Sequence, residues 1–369
     1  MNTRFYDRKT RSQGPAHEIQ LATDRIGRVG RMGQCIRKKI QTSVILLSPF
    51  HNGEAFKVDL KEQFNRDEFA KLIARSFSDV LQHLKIKIPS NWKLNDAHVN
   101  RSTFLKFAND WNEAVRSGQT MTSTGQIPII FQKLKKKDCP KPLLTSILDY
   151  CKDVTIRDEG ILKSASYGDK MYGAVSDKQV LSWANELDIG ASDTVVDLGS
   201  GIGNIVCLLG PSVNKAVGIE FVEKTAEIAN AHHKLFAKVM SWLGIHDTKV
   251  TLKHADMLDP QFVNLITKEA TVVVINNKQF GPDLMNKMND LFAKCDDGIK
   301  IISTIPLIGA RQVNSKLHRD NNPLVAIGES KELMMTENNT NFQSTPCQFY
   351  VTTIDLNKAP FVYASVTRR

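Results

Sequence analysis

The sequence has no apolar run approaching the ~20 residues that a membrane-spanning helix needs. Its first residues, M-N-T-R-F-Y-D-R-K-T-R, lack the apolar core of a secretory signal. No membrane partner and no secretion are therefore expected. No C-x-x-C pair occurs among Cys35, Cys139, Cys151, Cys207, Cys295 and Cys347. That spacing argues against a zinc site and predicts reduced, unliganded thiols in an intracellular protein. His232 and His233 fall in a helical pattern, but adjacent positions face different ways, so no metal is predicted. Tryptophan and tyrosine are scarce, with 4 and 6 copies, so each aromatic near a site weighs more. Apolar residues in general are plentiful. They make up 41% of the 369 residues, enough to core two or three domains.

Positive charge is also in surplus, and it is uneven. Residues 1–150 carry 26 Lys and Arg against 14 Asp and Glu, a net +12; residues 151–369 carry 23 against 25, a net −2. This asymmetry suggests an anionic polymer as partner, with the basic N-terminal half contacting nucleic acid. Residues 1–41, with R-I-G-R-V-G-R-M-G-Q at their centre, show no fixed apolar period and are expected to be weakly ordered when free. Arg25, Arg28, Arg31, Arg37, Lys38 and Lys39 would make salt-sensitive phosphate contacts. Basic tails that only aid solubility would look the same.

Residues 42–160 read as a mainly helical N-terminal domain. Thr42 to Phe50 could be a strand. Phe69, Leu72, Ile73, Phe77, Val80, Leu81 and Leu84 recur at helical spacing within a single helix, Arg66 to Ile88. A second helix covers Ser102 to Val115, with Phe104, Phe107, Ala108 and Trp111 inward. Pro128, Lys133 to Lys137, Pro140 and Pro142 mark a basic loop, and Leu143 to Tyr150 a short helix.

The chain is organised around Thr194 to Asn204, T-V-V-D-L-G-S-G-I-G-N. Val195 and Val196 form a buried strand that Asp197 closes, and Gly199, Gly201 and Gly203 turn it into a helix. Alternate glycines let a backbone approach a ligand without an intervening Cβ. Alone, such a turn could bind nothing. Two further acids reduce that reading. Glu220 ends a second strand, Ala216 to Glu220, where a carboxylate can hold a ribose diol. Asp256 ends a third, Val250 to Met257, where it can accept from an adenine amino group. A dinucleotide fold does not need that third acid, which places S-adenosylmethionine ahead of NAD. Gln261 to Lys268 reads as a short helix. Thr271 to Pro282, T-V-V-V-I-N-N-K-Q-F-G-P, is a strand ending in two amides. A helix from Asp283 to Lys294 and strands at Ile299–Ile305, Phe349–Ile354 and Phe361–Val366 follow; 311–341 stays unassigned.

Y-G-A-V, D-L-G-S-G-I-G-N, G-I-E, A-D-M-L, I-N-N-K-Q-F-G-P and Q-F-Y-V-T-T-I-D occur in one order across 165–356. Together they resemble the Dot-type (disruptor of telomeric silencing) histone lysine methyltransferases, which lack a SET domain. The resemblance implies an α/β fold. A Rossmann-like seven-stranded sheet of a SAM-dependent methyltransferase domain, 161–369, would follow the smaller helical domain. It implies a nuclear chromatin enzyme, expected to be monomeric, that methylates a lysine on the globular core of nucleosomal histone H three. It also implies that Asp197, Gly199, Gly201 and Asn204 line the donor's methionine end, with Tyr172 above. Glu220 would bind ribose, and Asp256 with Met257 the adenine. Asn276 would stand at the transfer centre, and Tyr167, Phe280, Phe342 and Phe349 would wall the lysine channel. Ala174 and Val175 replace two polar residues usual in the family, and Asn204 stands where Gln is usual. Two rivals stay open: a methyltransferase for RNA or another substrate, and a chromatin-binding module without turnover.

Overall fold

The computed structural model describes residues 41–117, 129–156, 160, 173–309, 322–340 and 345–358. The chain divides into two units, Met1–Gln41 and Thr42–Arg369, and every described element lies in the second. The expected weak order of 1–41 and the expected strand Phe361–Val366 fall outside the described residues.

The front part opens with a hairpin, β1 (Ser43–Leu46) and β2 (Phe56–Asp59), paired antiparallel. Helices α1 (Gln63–Ser76) and α2 (Ser78–His83) replace the single helix expected for Arg66–Ile88. The chain bends at Phe77 (φ −120°, ψ 25°), yet Phe77 N still donates to Ile73 O and Leu81 N to Phe77 O. Two backbone bonds therefore still span the bend. It turns the Phe77 ring, buried to 1% exposure, against Trp242 at 5.4 Å between centroids. Helix α3 (Arg101–Arg116) starts at Asn100, whose side chain accepts from Ser102 N. Its inward face is the expected one, with Phe104, Phe107, Ala108 and Trp111 buried.

The basic loop is corrected. Ile129–Lys135 is a helix, α4. Phe131 and Leu134 are buried three positions apart, and the Phe131 ring lies 5.1 Å from Phe50. That anchoring outweighs the Pro- and Lys-rich flanks, and lysines in a last helical turn suit the helix dipole. Helix α5 runs from Lys141 to Thr155, longer than expected at both ends.

Seven strands form one sheet: β3 (Thr194–Leu198), β4 (Lys215–Glu220), β5 (Val250–His254), β6 (Val272–Ile275), β7 (Lys300–Ser303), β8 (Gly328–Glu332) and β9 (Tyr350–Ile354). Their order is β5-β4-β3-β6-β7-β9-β8. β3 to β7 are parallel, while β9 runs antiparallel to both β7 and β8. This is the Rossmann-like methyltransferase sheet expected, with one strand that sequence did not reveal: an edge strand, β8, lies inside the unassigned 311–341 stretch. Its sequence, G-E-S-K-E, is charged because an edge strand must discourage further pairing. The expected helix at Gln261–Lys268 is two short turns, Pro260–Phe262 and the wider Leu265–Glu269.

Helices α6 (Asp177–Glu186), α7 (Asn204–Leu209), α8 (Glu223–Trp242) and α9 (Pro282–Phe292) complete the crossovers. One face of the sheet (Val195, Val274, Val351) shares a continuous core with the helical front. The other (Val196, Leu198, Val273, Ile275) packs on Met288, Leu291 and Phe292 of α9. Trp242 sits at the centre of the first core, with the rings of Phe50, Phe56, Phe69, Phe77 and Trp111 within 6.2 Å. Two residues on, Gly244 (φ +84°) lets α8 end against the front hairpin loop. A Cβ there would lie 2.2 Å from His51 O.

Candidate active site

β3 is followed by β4 and β5 on one side, and the chain then returns to β6 on the other. Strand order therefore reverses between β3 and β6, and open α/β sheets bind ligands outside the carboxyl ends at such a point. The turn leaving β3 is held to β4: Gly199 N and Ser200 N both donate to Ile219 O, at 2.8 and 3.1 Å. Gly203 (φ +81°) starts α7, where a Cβ would lie 2.9 Å from Leu252 Cδ2. Ile205 to Leu209 of α7 are all buried, so the turn cannot lift away from the sheet.

A cleft of about 400 Å³ opens there. Asp197, Gly199, Gly201, Asn204, Glu220, Asp256, Met257, Asn276, Phe280 and Phe349 all line it. Every described residue of the expected site is thus on one wall or another of a single cavity. Tyr167, Tyr172 and Phe342 lie outside the described residues.

The acids differ in state. Asp197 is 3% exposed, and no side-chain hydrogen bond reaches it among the described residues. Burial, then the charge of Glu220, lifts its carboxyl from 3.8 to about 7. Glu220 is tied at both oxygens: Oε2 accepts from Gly201 N and Oε1 from Val222 N, each at 2.8 Å. Burial raises its carboxyl too, and these backbone donors offset part of the rise. Asp256 is exposed, and its Oδ1 accepts from Leu258 N at 2.9 Å, shaping the loop after β5.

The two amides after β6 divide their work. Asn277, 2% exposed, accepts at Oδ1 from Thr304 N, Thr304 Oγ1 and Ile305 N, and its Nδ2 donates to Ile305 O. It locks the end of β6 to the end of β7. Asn276 lines the cleft instead. Its Nδ2 donates to Gly173 O at 3.2 Å, and its Oδ1 accepts from Thr304 Oγ1 at 3.2 Å. Asn204 turns its amide onto Asp177 in the first turn of α6, Nδ2 to Oδ1 at 2.6 Å. Burial raises the Asp177 carboxyl. Phe349 is buried edge-on against Trp183 of α6, centroids 4.8 Å apart.

Trp183, Thr304 and Phe221 also line the cleft and were not singled out from sequence. Phe221 carried a usable signal: it follows the ribose acid directly, and its ring is 48% exposed at the cleft. Trp183 is one of only four tryptophans, but its inward face is visible only once Phe349 is opposite. Thr304 gave no signal.

These residues fit S-adenosylmethionine. A buried carboxyl at Asp197, with no side-chain hydrogen-bond partner among the described residues, suits a cation when ionised, and the donor's amino-acid end has one. Glu220 keeps free lone pairs for a diol beside its backbone donors. Gly199 lines the cleft, and a Cβ there would meet no atom within 4 Å, so its backbone is open to a guest. Ile219, Met257 and Leu258 give an apolar bed beside Phe221 for a purine. The volume is in the range of small-molecule sites, about 300–1,000 Å³.

The chain is similar in sequence to proteins of one family. The family described as "Histone methylation protein DOT1" matches residues 150–354. A relative from Caenorhabditis elegans named "Histone-lysine N-methyltransferase, H3 lysine-79 specific" is 28% identical over 341 residues. That match covers 88% of this chain and 34% of the relative, so the chain spans about a third of its length. A Drosophila melanogaster relative of the same name is 27% identical over 205 residues, 55% of this chain and 11% of the relative. Among solved structures, an O-methyltransferase from Bacillus cereus in complex with SAH has 15% identity and a TM-score of 0.35, over 58% of this chain and 100% of the other. The family match covers more than half of the 369 residues, and the chain belongs to the DOT1 histone methylation family.

Proposed function

We propose that this chain is a protein-lysine N-methyltransferase that uses S-adenosylmethionine and acts on the globular core of histone H three within the nucleosome. One observation carries the proposal. Asp197, Glu220 and Asn276 line a single cleft that the rings of Trp183, Phe280 and Phe349 also line, Trp183 and Phe349 packed edge-on against each other. Acids suit the cationic, ribose-bearing donor, and ring faces suit a methylammonium product. The relatives' names support the histone substrate.

When bound, the donor supplies an activated methyl group on a sulfonium leaving group. The residues of this chain then have three tasks. Asp197 and Glu220 hold the donor's charged and ribose ends. Asn276, fixed by Gly173 and Thr304, offers Oδ1 to a lysine N–H and so aims the amine; an amide cannot remove its proton. The buried rings of Trp183 and Phe349 would exclude water and disfavour an ammonium, so the amine enters neutral after losing its proton to solvent. Alignment is the main contribution expected from the protein.

The test is transfer of labelled methyl from the donor to intact nucleosomes, free histone and RNA, with mass spectrometry of the product. Nucleosome labelling that falls at least about a hundredfold in Asn276→Ala is expected. Labelling of RNA alone, or none affected by that substitution, would overturn the reading. Ala174 and Val175 put apolar side chains on the cleft wall and favour a second reading, a chromatin-binding module; undetectable donor binding by calorimetry would select it.

A nuclear location, a monomeric state and nucleic-acid contact by the basic front belong to the same proposal. Lys137 acts on Asp247, in the loop before β5. Lys137, two residues past the end of α4, is absent from the residues that line the cleft. Contact made there would hold the nucleosome without crowding the site.

A further inference from the structure

Gln179 on α6 is fully buried, and its amide is engaged by one turn, 334–340. Nε2 donates to Met334 O at 2.8 Å. Oε1 accepts from Thr336 N at 2.8 Å, Thr336 Oγ1 at 3.2 Å and Asn339 Nδ2 at 3.1 Å. Asn339 is fully buried as well. Its Nδ2 also donates to Cys347 O at 2.7 Å, and its Oδ1 accepts from Cys347 N at 2.8 Å. Its own carbonyl accepts from Ser176 N at 2.8 Å, and Thr340 bridges to Val175.

Two segments therefore hang on this turn. The first is 173–176, which edges the donor side of the cleft and is held at its other end by Asn276 through Gly173 O. The second is 347–349, which ends in the Phe349 wall. Phe349 rests on Trp183, one helical turn beyond Gln179. Apolar packing alone would hold a turn near α6, but it would not fix its rotation. The directional hydrogen bonds of two amides do. Ala174 and Val175 have no polar side chain with which to anchor their segment, and the backbone bonds to Asn339 and Thr340 supply that anchor.

We propose that the Gln179–Asn339 amide pair positions the donor side and the acceptor wall of the cleft as one unit. The names of the two sides rest on the methyl-transfer reading above; the coupling belongs to the ligand-free chain. Gln179 and Asn339 are positioning residues, acting through Ser176 and Cys347.

The test is hydrogen exchange of the full ligand-free chain, read by mass spectrometry. In Gln179→Leu, peptides containing Ser176 and Cys347 should both exchange about tenfold faster, while α3 is unchanged. Val80→Ala, in the buried front core, controls for lost stability and should not single out these two segments. Gln179→Leu should also raise the KM for nucleosomes and the Kd for S-adenosylhomocysteine by similar factors. Val80→Ala should leave both within about twofold. Acceleration of only one segment, or of neither, would overturn the proposal. A parent chain that transfers no methyl would instead remove the reading above, and the exchange result would still decide this one.

Discussion

Replacing Asp197 by asparagine should stabilise the ligand-free protein in alkali and weaken its hold on the donor. The carboxyl is buried at the end of β3, has no hydrogen-bond partner among the described residues, and faces Glu220. Its pKa rises from 3.8 to about 7. The sign follows from proton counts. The folded state holds this proton more tightly than the unfolded one, so stability is full below pH ~4 and is lost as pH rises toward 7. This is the reverse of a salt-bridged aspartate. A shift of about 3 units corresponds to roughly 4 kcal/mol, of which about 2 kcal/mol falls between pH 5.5 and 8.5. An amide cannot ionise and escapes that loss. Urea unfolding of both proteins at four pH values should show the advantage of the Asp197→Asn variant over the parent growing by that amount. An advantage independent of pH, or one that shrinks as pH rises, would refute the argument.

The same charge explains why the acid would be kept. Only the ionised carboxylate attracts an ammonium, so affinity of the parent for S-adenosylhomocysteine should rise by up to tenfold per unit below pH 7 and level above it. Asp197→Asn should bind at least about tenfold more weakly above pH 7 and lose this pH dependence. Stability given up at the end of β3 would thus be recovered when a cationic guest arrives, a common exchange at functional sites.

Other consequences can be checked alongside. His232 is fully buried on α8, and burial pushes its imidazole down to about 4, with the Leu148 backbone offsetting this only in part. The unfolded chain takes up the proton first as pH falls below ~6.5, so stability should drop by about 2 kcal/mol between pH 6.5 and 5; His232→Met should lack that drop in urea titrations. Asn277→Ala leaves Thr304 N, Ile305 N and Ile305 O without their partner and should cost about 3 kcal/mol in unfolding free energy. Deleting 1–41 should flatten the salt dependence of DNA binding measured by titration; an unchanged slope would remove those arginines from the contact.

Some of this site was legible in sequence because its signals are local. Asp197 and Glu220 each stand at or near the carboxyl end of an apolar strand, a pattern that needs no knowledge of neighbours. Asp256 is expected at the end of a strand running to Met257, whereas β5 is mixed and stops at His254, leaving the acid in the following loop. Phe349 reads as the first residue of a late strand, and its place at the site comes from the family resemblance alone. What escaped depends on partners distant in the chain. Gln179 finds Thr336 across 157 positions, and Trp183 becomes a wall only when Phe349 arrives. β8 escaped because an edge strand is selected for charge rather than for apolar alternation. α4 escaped because two buried residues, Phe131 and Leu134, are too few to show a period.

The paired amides after β6 show why a short motif can outweigh a glycine turn. A strand that ended in one amide would have to choose between closing onto β7 and facing the cleft. With two, successive side chains point to opposite sides. Asn277 goes inward and commits its carbonyl to three donors of the Thr304–Ile305 segment. Thr304, held there through its backbone N–H, shares its one hydroxyl proton between Asn277 Oδ1 and Asn276 Oδ1. The amide at the cleft is therefore aimed by the buried one through a shared threonine. A motif that must supply both a lock and the group it aims admits few substitutions at either position, whereas a glycine turn asks only for small residues. That difference in physical demand, rather than length, makes the amide pair the more specific mark of this site.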